Sequence, residues 1–300
     1  MNTQNDRMKA GRMKAVLISL EFMLPSAVMA GTDIDQTVSM SADGLVQVEN
    51  MAGSVEFTAW DRNEAQVRGE AGDSVEEVII RETSGGVLVK IRNRKNQRNM
   101  DGTDLFLRIP ARASIEGDGV SSDFTVRGSK GETITINTVS GDVEVEADAE
   151  RVDLNSVSGE VELSGSANRV NAESVSGDVT LYGVAGEVRA STVSGDLSLE
   201  GDELSRGQFE TVSGDMVLSV ALADDGRLSC DAMSGDVKLR LPATQEALFS
   251  AQRSSGSIRS DFGKAVSVSR GRGSMVEDEV GELRARFGVE TFCGESPIRA

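Results

Sequence analysis

The sequence contains no histidine. That removes the commonest general base near neutral pH and the commonest transition-metal ligand, and it excludes Ser-His-Asp and Cys-His catalysis. Large rings are nearly missing as well. Aromatic residues make up 4% of the 300-residue chain, with one Trp (Trp60) and one Tyr (Tyr182). The core must therefore come from Val, Leu, Ile and Ala, because the rings that usually supply large buried areas are not there. Positive charge is scarce: 31 Lys and Arg stand against 49 Asp and Glu, a net charge of −18. Such a surface repels phosphate backbones, which argues against nucleic acid as a partner, and it repels anionic lipid headgroups unless cations bridge them. Long apolar runs are also lacking. The stretch Ala15 to Leu24 is interrupted by Glu21 and is too short to span a bilayer, and no later segment predicts a transmembrane span.

That short stretch has another reading. Arg7, Lys9, Arg12 and Lys14 precede it, Pro25 breaks it, and Val28-Met29-Ala30 offers small-residue cleavage chemistry before Gly31. Residues 1–30 thus read as a secretory signal peptide. The remaining residues hold 27 basic and 47 acidic side chains, a net −20, and no cysteine follows the signal to accept a lipid. The expectation is an exported protein, periplasmic or at the cell surface or outside the cell.

What the chain has in abundance is glycine, 32 residues of it, and part of that glycine is periodic. Six hexamers share one pattern: Thr138-Val-Ser-Gly-Asp-Val143, Ser156-Val-Ser-Gly-Glu-Val161, Ser174-Val-Ser-Gly-Asp-Val179, Thr192-Val-Ser-Gly-Asp-Leu197, Thr211-Val-Ser-Gly-Asp-Met216 and Ala232-Met-Ser-Gly-Asp-Val237. Their glycines fall at 141, 159, 177, 195, 214 and 235, in steps of 18, 18, 18, 19 and 21. Weaker copies occur at Arg253-Ser-Ser-Gly-Ser-Ile258 and Thr291-Phe-Cys-Gly-Glu-Ser296, and Val120-Ser-Ser-Asp-Phe124 looks like an earlier degenerate one.

Apolar residues alternate on both sides of each glycine. Ile134 and Ile136, Val152 and Leu154, Val170 and Ala172, Val188 and Ala190, and Leu228 and Cys230 stand seven and five residues before it. Val143 and Val145, and their equivalents through Val237 and Leu239, stand two and four residues after it. Each side is a strand with one inward face, and Ser-Gly is the corner between them, where glycine can take backbone angles closed to other residues. One coil of about 18 residues cannot bury its own apolar face, whereas coils stacked at about 4.8 Å bury all of them together. The prediction is an all-β, single-chain β-solenoid, parallel β-helix-like, with 18–21-residue coils over residues 119–300.

Residues 31–118 show strands without a tidy period: Leu45–Glu49, Ser54–Thr58, Ala65–Gly69, Glu77–Glu82, Val87–Arg92 and Asp104–Ile109. They are expected to form an N-terminal β cap continuous with the solenoid, since the end of a stack must be covered. The basic run Arg92 to Arg98 reads as a solvated hairpin tip.

One apolar position sits on the wrong parity for the core. Val139, Val157, Val175, Val193, Val212 and Met233, followed by Phe292, stand two before the glycine. A bulge at the corner would turn this residue inward, and that placement is the expectation. The other placement makes an outward stripe, a candidate partner surface.

The acid after each glycine forms a column: Asp142, Glu160, Asp178, Asp196, Asp215 and Asp236. Neighbours at rung spacing repel by about 0.9 kcal/mol in water-like screening. A repulsion repeated at every coil calls for a compensating role. Hydrogen bonds from turn amides are the expected one, and a ladder for Ca²⁺ or a cationic ligand is the other. Cys230 occupies an inward position and Cys293 replaces a corner serine about three coils further on, so roughly 14 Å separates them and two free thiols are expected.

The Val-Ser-Gly-Asp turns, the Gly53-Ser-Val-Glu-Phe57 and Trp60-Asp61 stretch, and the Leu105 to Ile109-Pro110 lead-in together resemble the bacterial putative-adhesin family, a domain of unknown function built of β-strand repeats. The resemblance covers roughly residues 40–300. It implies an exported or envelope protein with a repetitive β fold, and no catalytic residues carry over from it.

The functional expectation is a non-catalytic exported protein, adhesin-like or structural, with an envelope or cell-surface component, protein or glycan, as partner. One alternative is a periplasmic accessory or sensor in envelope-stress signalling, and a plain structural spacer is another. A polysaccharide-acting β-helix enzyme is disfavoured, because coil steps of 18 leave no chain for cleft-building loops and aromatic platforms for sugar rings are scarce.

Overall fold

Apolar residues on both sides of the glycine can reach one core only if the chain turns back between them, and the computed structural model has that geometry. It describes residues 26–28, 33–94, 101–242, 245, 247–253, 258–260, 274–280, 285–293 and 296–299, with the backbone alone described for 26–28 and from 247 onward. These residues form strands and turns without a helix, and none is part of a helix able to cross a membrane.

The chain begins with β1 (Ser26–Val28), β2 (Asp33–Ser39), β3 (Leu45–Trp60), β4 (Glu64–Glu70), β5 (Val75–Thr83), β6 (Gly86–Asn93) and β7 (Thr103–Pro110). The repeats follow as β8 (Ser114–Ser129), β9 (Thr133–Asn137), β10 (Val143–Ala147), β11 (Ala149–Asn155), β12 (Val161–Ser164), β13 (Ala167–Glu173), β14 (Val179–Tyr182) and β15 (Gly186–Thr192). They continue through β16 (Leu197–Ser213), β17 (Met216–Ser234) and β18 (Val237–Arg240). The last strands are β19 (Ala247–Arg253), β20 (Ile258–Ser260), β21 (Ser274–Val280), β22 (Ala285–Cys293) and β23 (Ser296–Arg299).

Two parallel ladders run along the stack. Residues before each glycine pair in register through β9, β11, β13, β15, the second half of β16 and the second half of β17. Residues after it pair through β10, β12, β14 and the first halves of β16 and β17 to β18. Like meets like on most rungs, as Val143, Val161 and Val179 do. The predicted inward residues of both ladders are buried in one continuous core. Val120 to Phe124 proves to be a true coil corner, with Phe124 on the rung of Val143.

The ends depart from chain order. β3 lies directly on β8, while β6 and β7 sit on its far side. Antiparallel strands then finish the stack: β4 and β2 beyond β7, and β5 and β1 beyond β6. The two strands expected at Leu45–Glu49 and Ser54–Thr58 are one, β3, and β8 runs through residues 118 and 119 without a break. At the other end β22 lies between β17 and β19, β23 between β18 and β20, and β21 closes antiparallel to β19. Most of the expected signal peptide and the tip of the basic run, residues 95–98, lie outside the described residues, as does the corner of the weak copy at 254–257.

This order corrects the position of Cys293. It lies on the next rung after β17, opposite Ser234, rather than three coils away. Cys230 faces Val289 on that rung, so four residues of extended strand, roughly 13 Å, still keep the cysteines beyond disulfide reach. Cys230 is a free, buried thiol. Burial pushes its pKa far up, and the Asp231 charge adds to the shift. A raised folded pKa means that the stability due to the neutral thiol is complete below the unfolded value, about 8.5, and is lost as pH climbs above it. Urea melts from pH 8 to 10.5 should therefore show the native protein losing about 1.4 kcal/mol per pH unit relative to Cys230→Ala. Parallel curves would place the thiol in contact with water.

Candidate functional site

The corner is built by close backbone approach. At Gly159 and Gly177 a Cβ would fall 1.9 and 2.0 Å from the glycine carbonyl oxygen of the preceding coil. Neither has a positive φ, so the reason for glycine here is proximity rather than special backbone angles. The same carbonyls accept a second contact that the sequence reading did not assign. Ser156 Oγ donates to the Gly141 carbonyl at 3.1 Å, Ser174 Oγ to Gly159 at 3.1 Å and Thr192 Oγ1 to Gly177 at 3.0 Å. This buried hydroxyl ladder lies three residues before the glycine, on the inward parity, which was its only signal. Thr211 breaks it: its buried hydroxyl has no partner, in the first coil whose step lengthens, from Gly195 to Gly214.

With position −3 inward, position −2 must point out. Val139, Val157, Val175, Val193, Val212 and Met233 are 42–56% exposed, so the inward placement expected for them is overturned. The parity change needs no bulge, because the four residues from Val to Asp form the corner itself. Two further residues, missed in the sequence, continue the row: Val120 and Met51, both exposed and on successive rungs. Phe292 holds the same backbone register beyond Met233. The result is an apolar ridge of eight described rungs, roughly 34 Å long at strand spacing. A contiguous exposed apolar row of this length is uncommon on a surface with no partner.

The ridge is framed by carboxylates. On one side runs the column of Asp142, Glu160, Asp178, Asp196, Asp215 and Asp236, extended by Asp123. On the other side, four before the glycine, stand Glu49, Asp118, Glu173, Glu210 and Asp231 with Asn137, Asn155 and Ser191 between them. Lys90 stands beyond Glu49 on the rung of β6 and pairs with it; among the described residues no other lysine or arginine occupies either column.

The first column is tied together by its own backbone. The amide of Glu160 donates to Asp142 Oδ1 at 2.9 Å, Asp196 to Asp178 at 2.8 Å, Asp215 to Asp196 at 2.7 Å and Asp236 to Asp215 at 2.9 Å. These bonds join neighbouring coils, whereas the sequence reading expected each acid to close its own turn. Of the first five acids of the column, Glu160 alone leaves the next acid's amide without such a bond. No group of three or more Asp, Glu or Cys among them is placed to hold a metal ion. Replacing Asp196 by alanine should lower the melting midpoint by about 2–4 °C through loss of one bond, with Asp196→Asn close to wild type. In the same melts millimolar Ca²⁺ should leave the midpoint unmoved; a rise would mean that the column takes up the cation.

The opposite corner carries other features. Ser166 donates from Oγ (2.8 Å) and N (3.3 Å) to Asp148 Oδ1; the hydroxyl bond is the main reason that this carboxyl lies below its usual pKa, and the amide bond adds to it. Further along, where the coil steps lengthen, this corner opens into a groove of about 830 Å³ lined by Tyr182, Glu200, Glu203 and Arg240 among others. The groove is open and lies away from the ridge.

Residues 46–280 match the family model described as Toastrack DUF4097, and no curated protein matches the chain. Crystal structures of similar fold include a "putative adhesin" from Parabacteroides merdae (9% identity, TM-score 0.53, covering 89% of this chain and 98% of that one). A "putative adhesin" from Parabacteroides distasonis is 12% identical, with a TM-score of 0.51 over 88% of this chain and 97% of the other. A "putative lipid binding protein" from the same species is also 12% identical, with a TM-score of 0.51 over 91% and 99%. At these identities the likeness is one of fold.

Proposed function

Because the chain belongs to the Toastrack DUF4097 family, we propose that it is a non-catalytic exported protein that binds an envelope or cell-surface component, adhesin-like in the broad sense. The observation that carries this reading is the exposed apolar ridge from Met51 to Met233, which the core does not need and which water disfavours. Two of the similar structures bear the name adhesin, which agrees with a binding role. The chain's own composition supports the absence of catalysis: it has no histidine, and the described carboxylates near the ridge are spent on inter-coil bonds or face solvent.

Intact-cell protease shaving tests the location. Removal of the protein from untreated cells is the expected result for a surface binder. Protection until the outer envelope is opened would overturn surface display and favour the second reading, a periplasmic accessory that meets its partner through the same ridge.

A further inference from the structure

We propose that the ridge seats a basic amphipathic helix of another polypeptide, about six turns long, an inference that rests on the docking role proposed above. Three observations select this occupant. The first is charge. Two carboxylate columns flank the apolar row, so cations on either side of an apolar stripe complement it, whereas a second copy of this chain would set acid columns against each other. The second is backbone satisfaction. The corner amides are already engaged: Ser158 N donates to the Val139 carbonyl and Ser176 N to Val157, each at 2.9 Å, and most of the acid amides donate to carboxylates. An added β-strand would find few partners there. A helix satisfies its own backbone and needs only side-chain contacts. The third is length. A ridge of roughly 34 Å matches a helix of about 22 residues, whose apolar stripe recurs about every 5 Å along its axis, close to the rung spacing. Anionic lipid is disfavoured by the same acidic frame.

The test titrates the purified protein with a 22-residue Leu/Lys helical peptide, its Leu/Glu counterpart and a scrambled Leu/Lys peptide of equal charge. The Leu/Lys helix should bind with a Kd of order 10 μM at low salt, more tightly than the scrambled peptide, and the Leu/Glu helix should not bind. The variant Val157→Ser/Val175→Ser/Val193→Ser should weaken binding at least about tenfold with an unchanged melting curve, and the Val→Thr triple, which keeps the β-branch, should behave likewise. The variant Glu160→Gln/Glu173→Gln/Glu210→Gln should flatten the salt dependence. Equal binding by the valine variants, or by helical and scrambled peptides, overturns the proposal as generic charge attraction. Ridge-dependent self-association or vesicle binding in place of peptide binding overturns it in favour of a second copy or a lipid surface. Sedimentation with isolated envelope fractions separates the two levels. Envelope binding lost in the valine variant without any peptide binding removes the helix alone, while envelope binding untouched by that variant removes the docking role of the ridge itself.

Discussion

Gly177→Ala is expected to destabilise the solenoid by about 3–5 kcal/mol, a large effect for a single methyl group. The added Cβ would stand 2.0 Å from the Gly159 carbonyl oxygen and 3.0 Å from Ser174 Oγ. Neither neighbour can step aside cheaply. The carbonyl is backbone and accepts the Ser174 hydroxyl, and the coils on either side are held by Ser176 N to the Val157 carbonyl and Val161 N to the Asp178 carbonyl, both at 2.9 Å. Ordinary contact would require the two coils to part by more than an ångström at the corner, breaking those bonds. Gly85 provides the control. Its Cβ would meet nothing within 4 Å, so Gly85→Ala should change stability by less than about 0.5 kcal/mol. Because stacked coils can open locally, urea unfolding should be paired with hydrogen exchange at the Val161 and Ser176 amides, which should lose protection first. Similar melts for the two alanine variants would show that the stack breathes enough to take the methyl group.

The second large effect concerns the core. Phe209 is fully buried on the rung between Ala190 and Cys230, and Gly207 lies between Val188 and Leu228 on the same strands. The ring fills the space that a side chain at 207 would take: a Cβ there would meet Phe209 Cε2 at 2.7 Å and Leu228 Cδ1 at 2.4 Å. Phe209→Ala should therefore cost about 3–5 kcal/mol, lost transfer energy plus an unfilled cavity. Gly207→Ala should cost about 1–3 kcal/mol, since the obstructing atoms are side-chain ends that can shift. The double variant should be milder than the sum by about 1 kcal/mol or more, because the new methyl occupies part of the vacated space. Strict additivity in chemical denaturation would mean that the ring and the glycine are independent choices.

The same coil shows what the sequence reading passed over. Gly207 and Phe209 replace the aliphatic pair found at their positions in other repeats, and their burial becomes intelligible only when neighbouring rungs are known to be Val188, Leu228, Ala190 and Cys230. Elsewhere the pattern was legible from end to end. Val143 and Val145, Val161 and Leu163, Ile134 and Ile136 are inward because strand alternation and a common core leave them no other place. The acid column was legible as a column but not as an inter-coil tie, since the donors to Asp142, Asp178, Asp196 and Asp215 are residues 18 to 21 positions later.

The candidate site was half visible. The sequence named the stripe from Val139 to Met233, yet whether it faces the core depends on where parity changes within the corner. That point is fixed by the approach of each corner glycine to the glycine carbonyl of the preceding coil, a contact between coils rather than within one. Val120 joins the ridge because β8 stacks on β10, and Met51 only because β3 stacks directly on β8.

The sequence by itself determined the coil, its two arms, its glycine corner and its acidic surface, because each follows from alternation and composition over fewer than 20 residues. Tertiary structure alone decided the order of coils at both ends and the outward turn of the valines. Periodicity specifies what each rung looks like, but any rung can pair with any other of the same pattern. The order is set by which backbone edges are left open when the stack closes, as when β22 enters between β17 and β19.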